Sequence, residues 1–199
     1  MASVASKDTF KYFAYGSNLL RERILINNPT AKLYGIGKLS GYRFGFDAPK
    51  GERLDRWLGS GATIFKADPS SYVYGVIWDM NYSDLKSLDR QEGCYNAIQV
   101  DVKVVSRIAP PGQQESADGA DVGEHTVQCR TYQLKNVTGA NLPSPHYKEV
   151  ILMGARQNRL PQDYIAFLEA FPDNQVKETP IAYKKVMEML ERMRQDNDQ

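Results

Sequence analysis

The sequence predicts an α+β fold: a mixed, mainly antiparallel sheet able to close into a barrel, with helices inserted between strands and three more at the C-terminal end. Three observations predict it. Six or seven segments carry the two-residue alternation or the aromatic and β-branched content of strands, and Gly, Pro, Asp and Ser turns separate them. Helical spacing is confined to two short inserts before residue 95 and to the stretch after residue 143. Finally, 199 residues with 42% hydrophobic and 25% charged side chains suffice to bury one real core, which points to one domain.

Residues 1–9 read as a loose start. Residues 10–15, aromatic and apolar with one lysine, form the first strand. Gly16 then tolerates backbone angles that a Cβ resists, Ser17 and Asn18 can cap the next element, and residues 19–24 read as a short helix ended by Asn27-Asn28-Pro29. Residues 31–39 and 41–47 read as a pair of strands, the second with Tyr42, Phe44 and Phe46 alternating. The polar segment 49–61 is a surface loop, in which Trp57 anchors a lid over the core or borders a pocket. Residues 61–67 and 72–80 follow as strands, and the second is apolar on most of both faces, which places it centrally in its sheet.

In residues 81–93, Asn81 or Ser83 can cap a helix, Leu85 and Leu88 form its inner stripe, and Gly93 can close it in the left-handed conformation. Residues 95–106 form the clearest strand, with Ile98, Val100, Val102 and Val104 on one face and Gln99, Asp101 and Lys103 on the other. Residues 107–124 have loop composition. Residues 125–134 are a strand with Thr126, Gln128, Arg130 and Tyr132 on one face, and Cys129 beside Val127 on the other reads as a small buried side chain. Ser144 caps a helix with Pro145 at its first position and Asn158 at its end. A second helix runs from Leu160-Pro161 to Phe171-Pro172. The last starts at Thr179-Pro180, and its Val186, Met189, Leu190 and Met193 form a stripe that can pack on the body or on another subunit.

Composition excludes several function classes. A formal net charge of +1 gives no electrostatic reason to expect nucleic acid or an anionic membrane as partner. Two cysteines without CxxC spacing and two histidines argue against an ordinary metal site. No apolar run approaches membrane-spanning length, and the N-terminus lacks an apolar signal core, so the expected location is cytoplasmic, with reduced thiols. Nucleotide fingerprints, phosphate loops and Ser/His/Asp sets are also missing.

Three places permit chemistry. The turn at residues 15–18, between a strand end and a helix start, can point N–H groups and a hydroxyl at a carboxylate or an oxyanion, or be a plain connection. Glu92 falls in a last helical turn, where the carbonyl end disfavours negative charge by about 0.3–1 kcal/mol. It is therefore either solvated and tolerated, or a carboxyl whose raised pKa is useful. Tyr147, in a first turn, is either core packing or a substrate-facing hydroxyl.

Four motifs in chain order resemble γ-glutamylcyclotransferases. They are Tyr12-Phe13-Ala14-Tyr15-Gly16-Ser17-Asn18-Leu19; Leu88-Asp89-Arg90-Gln91-Glu92-Gly93 with the strand after it; Cys129-Arg130 through Tyr132; and Pro143-Ser144-Pro145-His146-Tyr147-Lys148 followed by Met153-Gly154-Ala155. The resemblance runs from about Phe10 to Phe171. It implies a small barrel flanked by helices, a single catalytic domain over residues 10–171 with a helical extension and tail over 172–199, and a homodimer. The implied reaction converts γ-glutamyl amino acids to 5-oxoproline and the free amino acid, within glutathione turnover and without a cofactor or metal. Tyr12, Phe13, Ala14, Tyr15, Gly16 and Ser17 would hold the γ-glutamyl group, Glu92 would be the catalytic acid/base, and Tyr132 and Tyr147 would present hydroxyls to the substrate. Tyr95 follows Gly93 more closely than the family's tyrosine does in that region, so its part is open. The alternatives are a cyclotransferase for glutathione itself or for γ-glutamylamines, and a non-catalytic binding protein on the same fold.

Overall fold

A computed structural model describes residues 8–50, 56–107, 125–139 and 142–197. Its strands are β1 (Thr9–Ala14), β2 (Lys32–Ser40), β3 (Tyr42–Asp47), β4 (Gly61–Lys66), β5 (Tyr72–Asn81), β6 (Tyr95–Arg107) and β7 (His125–Leu134). Its helices are α1 (Arg21–Leu25), α2 (Leu85–Gln91), α3 (Pro145–Gln157), α4 (Gln162–Glu169) and α5 (Ile181–Asn197). Five strands close a barrel in the order β1-β5-β2-β6-β7, and β3 and β4 form a separate hairpin. Four barrel pairings are antiparallel, and the closing pair, β7 with β1, is parallel, with Tyr12 opposite Arg130.

The patterning that defines each strand also sets its place. β5 carries Val73, Val76, Ile77, Trp78 and Met80, all buried, and it is covered on both edges by β1 and β2. β6 turns Val100, Val102 and Val104 into the barrel and leaves Gln99 and Asp101 on the wetter face. Cys129 is a buried thiol, pushed up to about 12 by burial, which makes it an inert core residue.

Four local expectations differ from the structure. The strands over 31–39 and 41–47 are consecutive but not partners: β2 is flanked by β5 and β6, and Gly41, at φ +76°, swings the chain out to β3, which pairs with β4. Neither Asn81 nor Ser83 caps α2 through its side chain; a 3₁₀ turn over Tyr82–Asp84 leads into it. Asp84 instead receives the N–H and hydroxyl of Thr30 at 2.9 and 2.7 Å, which ties α2 to the start of β2. Gly93 does not take up positive φ, because the N–H of Tyr95 bonds the Glu92 carbonyl at 2.8 Å and the chain passes directly into β6. Arg107, expected in a loop, is the last residue of β6 and pairs with Gly35, while the rest of that expected loop, 108–124, lies outside the described residues.

The C-terminal helices follow expectation. Ser144 accepts the Tyr147 N–H at 3.1 Å with Pro145 in the first turn, and Asn158 ends α3. α3 lies against the 3₁₀ turn at Ser17–Leu19, close enough that a Cβ on Gly154 would stand 2.4 Å from the Leu20 nitrogen. α5 packs on α1 and α3 with Val186 fully buried. Val186 and Leu190 of its stripe thus pack on the body of the chain.

Candidate active site

The site forms where β1 leaves the barrel. Tyr12 comes from the strand, and Tyr15, Gly16, Ser17 and Asn18 from the turn after it; this segment packs between the end of α2, the start of β6, β7 and the first turn of α3. Together they enclose a small cavity of about 40 Å³. Of the expected residues, Tyr12, Tyr15, Gly16, Ser17, Glu92, Tyr132 and Tyr147 line it. Phe13 and Ala14 do not: Phe13 is fully buried in the core, and its carbonyl accepts the Thr131 hydroxyl at 2.8 Å. Asn18, Ala62 and Tyr95 complete the wall.

Glu92 caps α2 at its C-terminal end, as its sequence position implies. The residue is half-buried, and loss of water around its carboxyl raises its pKa. The positive charge of Arg23, the Gln91 amide, Arg56 and the Asn18 amide oppose that rise without cancelling it. Asn18 Nδ2 donates to Glu92 Oε1 at 3.1 Å and to the Tyr12 hydroxyl at 3.0 Å; Gln91 Nε2 donates to the same Glu92 oxygen at 3.1 Å and to Asn18 Oδ1 at 3.1 Å. The Asn18 backbone is fixed in turn by Trp78, whose Nε1 donates to its carbonyl at 2.9 Å. The acid is therefore held at one oxygen by a carboxamide pair braced against the barrel.

The phenols are positioned with equal care. Tyr15 donates to the Tyr132 carbonyl, Tyr95 to the Ala62 carbonyl at 3.0 Å, and Tyr132 to Asp89 Oδ1 at 2.5 Å. Tyr147 accepts the Ala62 N–H at 3.1 Å and lies against Trp57, ring centroids 5.0 Å apart. Trp57 thus backs a cavity residue. Burial is the first cause that pushes the pKa values of Tyr12, Tyr15, Tyr95, Tyr132 and Tyr147 up. They remain protonated near neutral pH, which leaves Glu92 as the one lining side chain able to exchange a proton there. Gly16 sits at φ −105°, so it is needed for space: a Cβ would lie 3.1 Å from the Ala62 Cβ and 3.2 Å from the Tyr147 hydroxyl. The 3₁₀ turn bonds first from Leu19 to the Gly16 carbonyl, so the N–H groups of Ser17 and Asn18 have no acceptor within it.

Reading the sequence missed the roles of Asn18, Gln91 and Ala62. Asn18 stands inside the first motif and was legible as a cap and as part of the donor turn at 15–18, but not as a side chain that holds Glu92. Gln91 had no signal beyond adjacency to Glu92. Ala62 acts through its backbone, which no side-chain pattern reveals.

This geometry can be set against known proteins. An AIG2-like family model matches residues 72–168. A bovine gamma-glutamylcyclotransferase is 40% identical over 170 residues, 85% of this chain and 82% of that protein; the mouse protein of the same name is 41% identical over 172 residues, and the human one 39% over 168. A solved structure titled gamma-glutamyl cyclotransferase aligns with TM-score 0.78 at 33% identity, covering 93% of this chain and 99% of that one. A crystal structure of an uncharacterized human protein aligns with TM-score 0.75 at 35% identity, covering 92% and 99%. Matches of this identity, running over most of both chains in sequence and in structure, leave one conclusion: the chain belongs to the γ-glutamylcyclotransferase family.

Proposed function

We propose that the chain is an enzyme that converts γ-glutamyl amino acids into 5-oxoproline and the free amino acid, with Glu92 as the acid/base. The observation that carries the reading is the single carboxyl of the cavity, raised by burial and surrounded by phenols whose own protons stay in place at neutral pH. Relatives named gamma-glutamylcyclotransferase at about 40% identity support the reaction.

The nucleophile is the substrate's own α-amine, so the task of the site is orientation: the glutamyl chain must fold back until the amine meets its γ-carbonyl. Tyr12, Tyr15, Gly16, Ser17, Tyr132 and Tyr147 form a wall suited to hold it so. Glu92 takes a proton from the attacking nitrogen and returns one to the leaving nitrogen as the bond to the amino acid breaks. An ordinary carboxylate is a weak base for the first of these steps, and a raised pKa strengthens it. As the carbonyl oxygen gains charge, N–H groups of the Gly16-Ser17 turn, among them that of Ser17, which has no acceptor within the turn, supply donors to it. In the same reading the protein works in the cytosol as a homodimer, which sedimentation velocity checks by separating one chain from two.

The experiment is 5-oxoproline release from γ-glutamyl-alanine by the wild-type protein and Glu92→Gln, with glutathione in parallel. Release from the dipeptide, lost in the variant, is expected. Absence of release from both substrates by the wild type sinks the assignment, and release from glutathione alone moves it to the glutathione-specific reaction.

A further inference from the structure

A larger cavity, about 320 Å³, is lined by Arg23, Ile26, Asn27, Arg56, Ile181, Ala182 and Lys185. Three of these residues are cations and none is an acid. Arg23 is 3% exposed, and among the described residues its Nε has no hydrogen-bond acceptor and its guanidinium has one hydrogen bond, a 3.5 Å approach to Gln91 Oε1. Burial, then the neighbouring charge of Arg56, lowers its pKa to about 10, so it stays cationic at neutral pH. The charge of Glu92 offsets this in part but no ion pair joins it to Arg23 among the described residues, so a buried guanidinium with an idle N–H beside a second arginine still favours a further anion. By contrast, the cations of another large cavity are already answered: Lys11 pairs with Asp79 at 2.8 Å and Arg130 with Asp89 at 2.7 Å.

Gln91, the last residue of α2, links the linings of the two cavities. Arg56 donates to the Gln91 carbonyl at 3.1 Å, Gln91 grips Glu92, and the charges of Arg23 and Arg56 are felt at the Glu92 carboxyl. The lining of the small cavity holds no cation, so nothing there answers the carboxylate of the departing amino acid. We infer that the Arg23/Arg56/Lys185 cavity binds the α-carboxylate of the departing amino acid, with Ile26, Ile181 and Ala182 as an apolar wall for its side chain. The inference rests on the cyclotransferase reading above. It gives α5, which supplies Lys185 and Ile181, a place in substrate selection.

The test compares kcat/KM for 5-oxoproline release from γ-glutamyl-alanine and from its C-terminal amide, in the wild type and in the exposed double variant Arg56→Gln/Lys185→Gln. The ratio of acid to amide is read, so a partly folded preparation does not distort it. The wild type is expected to prefer the acid by about tenfold or more, as one charge-assisted contact warrants, and the ratio in the variant falls toward one. Arg23→Lys, which keeps the charge and loses the fork, lowers the ratio less. Release from both substrates at equal kcat/KM, or a ratio unmoved in the double variant, overturns the inference and leaves the enzyme assignment standing. No release from either substrate by the wild type overturns both.

Discussion

At the scale of single residues, Glu92 decides both chemistry and pH response. Glutamine keeps the volume and can still take the Asn18 and Gln91 contacts after a flip, yet cannot carry a proton. Glu92→Gln should therefore lower kcat by roughly 10²–10⁴-fold, the usual share of a positioned acid/base, while substrate binding measured by calorimetry persists. Stability should move the other way. The folded-state pKa of Glu92 lies above its ordinary value of 4.5 because burial disfavours the anion. Between that value and the raised one the native state holds the proton that the unfolded chain has lost, so stability falls as pH rises through this window. Glutamine has no such dependence. The Tm of the variant minus that of the wild type should thus grow more positive as pH rises from 4.5 through the folded-state value and then level off; a difference flat with pH would place the carboxyl in water. In the sequence, the acid at a helix end was visible but its environment was not. The partners that set its pKa come from residues 18, 23, 56 and 91, and only the last is local in the chain.

At the scale of elements, the contact between α3 and the Ser17–Leu19 turn joins two halves of the site, since one carries Tyr147 and the other carries Asn18 and its amide. It depends on Gly154, where a Cβ would stand 2.4 Å from Leu20 N and 2.6 Å from the Leu19 carbonyl carbon. Backbone cannot yield as a flexible side chain does. Gly154→Ala is expected to cost about 1–3 kcal/mol, a Tm lower by about 2–10 °C, and to reduce kcat/KM as well because both halves shift. Gly93→Ala is the control, meeting only Arg90 O at 3.6 Å, and should stay within about 0.5 kcal/mol. Loss of activity equal in the two variants would argue against this account. The elements themselves were legible because strand alternation and Pro-led helix starts are local signals: β6 announces itself in its valines and α3 in Ser144-Pro145. Their pairing was not. That β2 avoids β3 and that β7 closes on β1 in parallel are settled by contacts between segments far apart in sequence, and the one local hint, Gly41, reads equally well as a hairpin turn.

At the scale of the whole molecule, the question is whether residues 10–171 stand alone. Phe171 packs on Phe44 and Phe46, ring centroids 5.6 and 5.3 Å apart, so the ring cluster is complete by that residue. The chain then bridges two other segments: Asn174 Nδ2 donates to the Leu58 carbonyl at 2.7 Å, and its N–H donates to the Pro143 carbonyl at 2.9 Å. This clasp joins the loop that carries Trp57 to the start of the helix that carries Tyr147, and those two rings touch behind the cavity. A chain ending at Lys177 keeps the clasp and loses α5. Burial of Val186 and Leu190 against the core makes that loss worth about 3–6 kcal/mol as an upper estimate, a Tm lower by roughly 10 °C. A chain ending at Phe171 loses the clasp too, and its further defect should fall on catalysis more than on Tm, because two hydrogen bonds add little to global stability but fix Trp57 against Tyr147. Thermal melts and kcat/KM for the two truncations check this. If the chain ending at Phe171 matches the one ending at Lys177 in activity, the clasp is passive; a lower kcat at similar Tm assigns residues 172–177 to the catalytic unit.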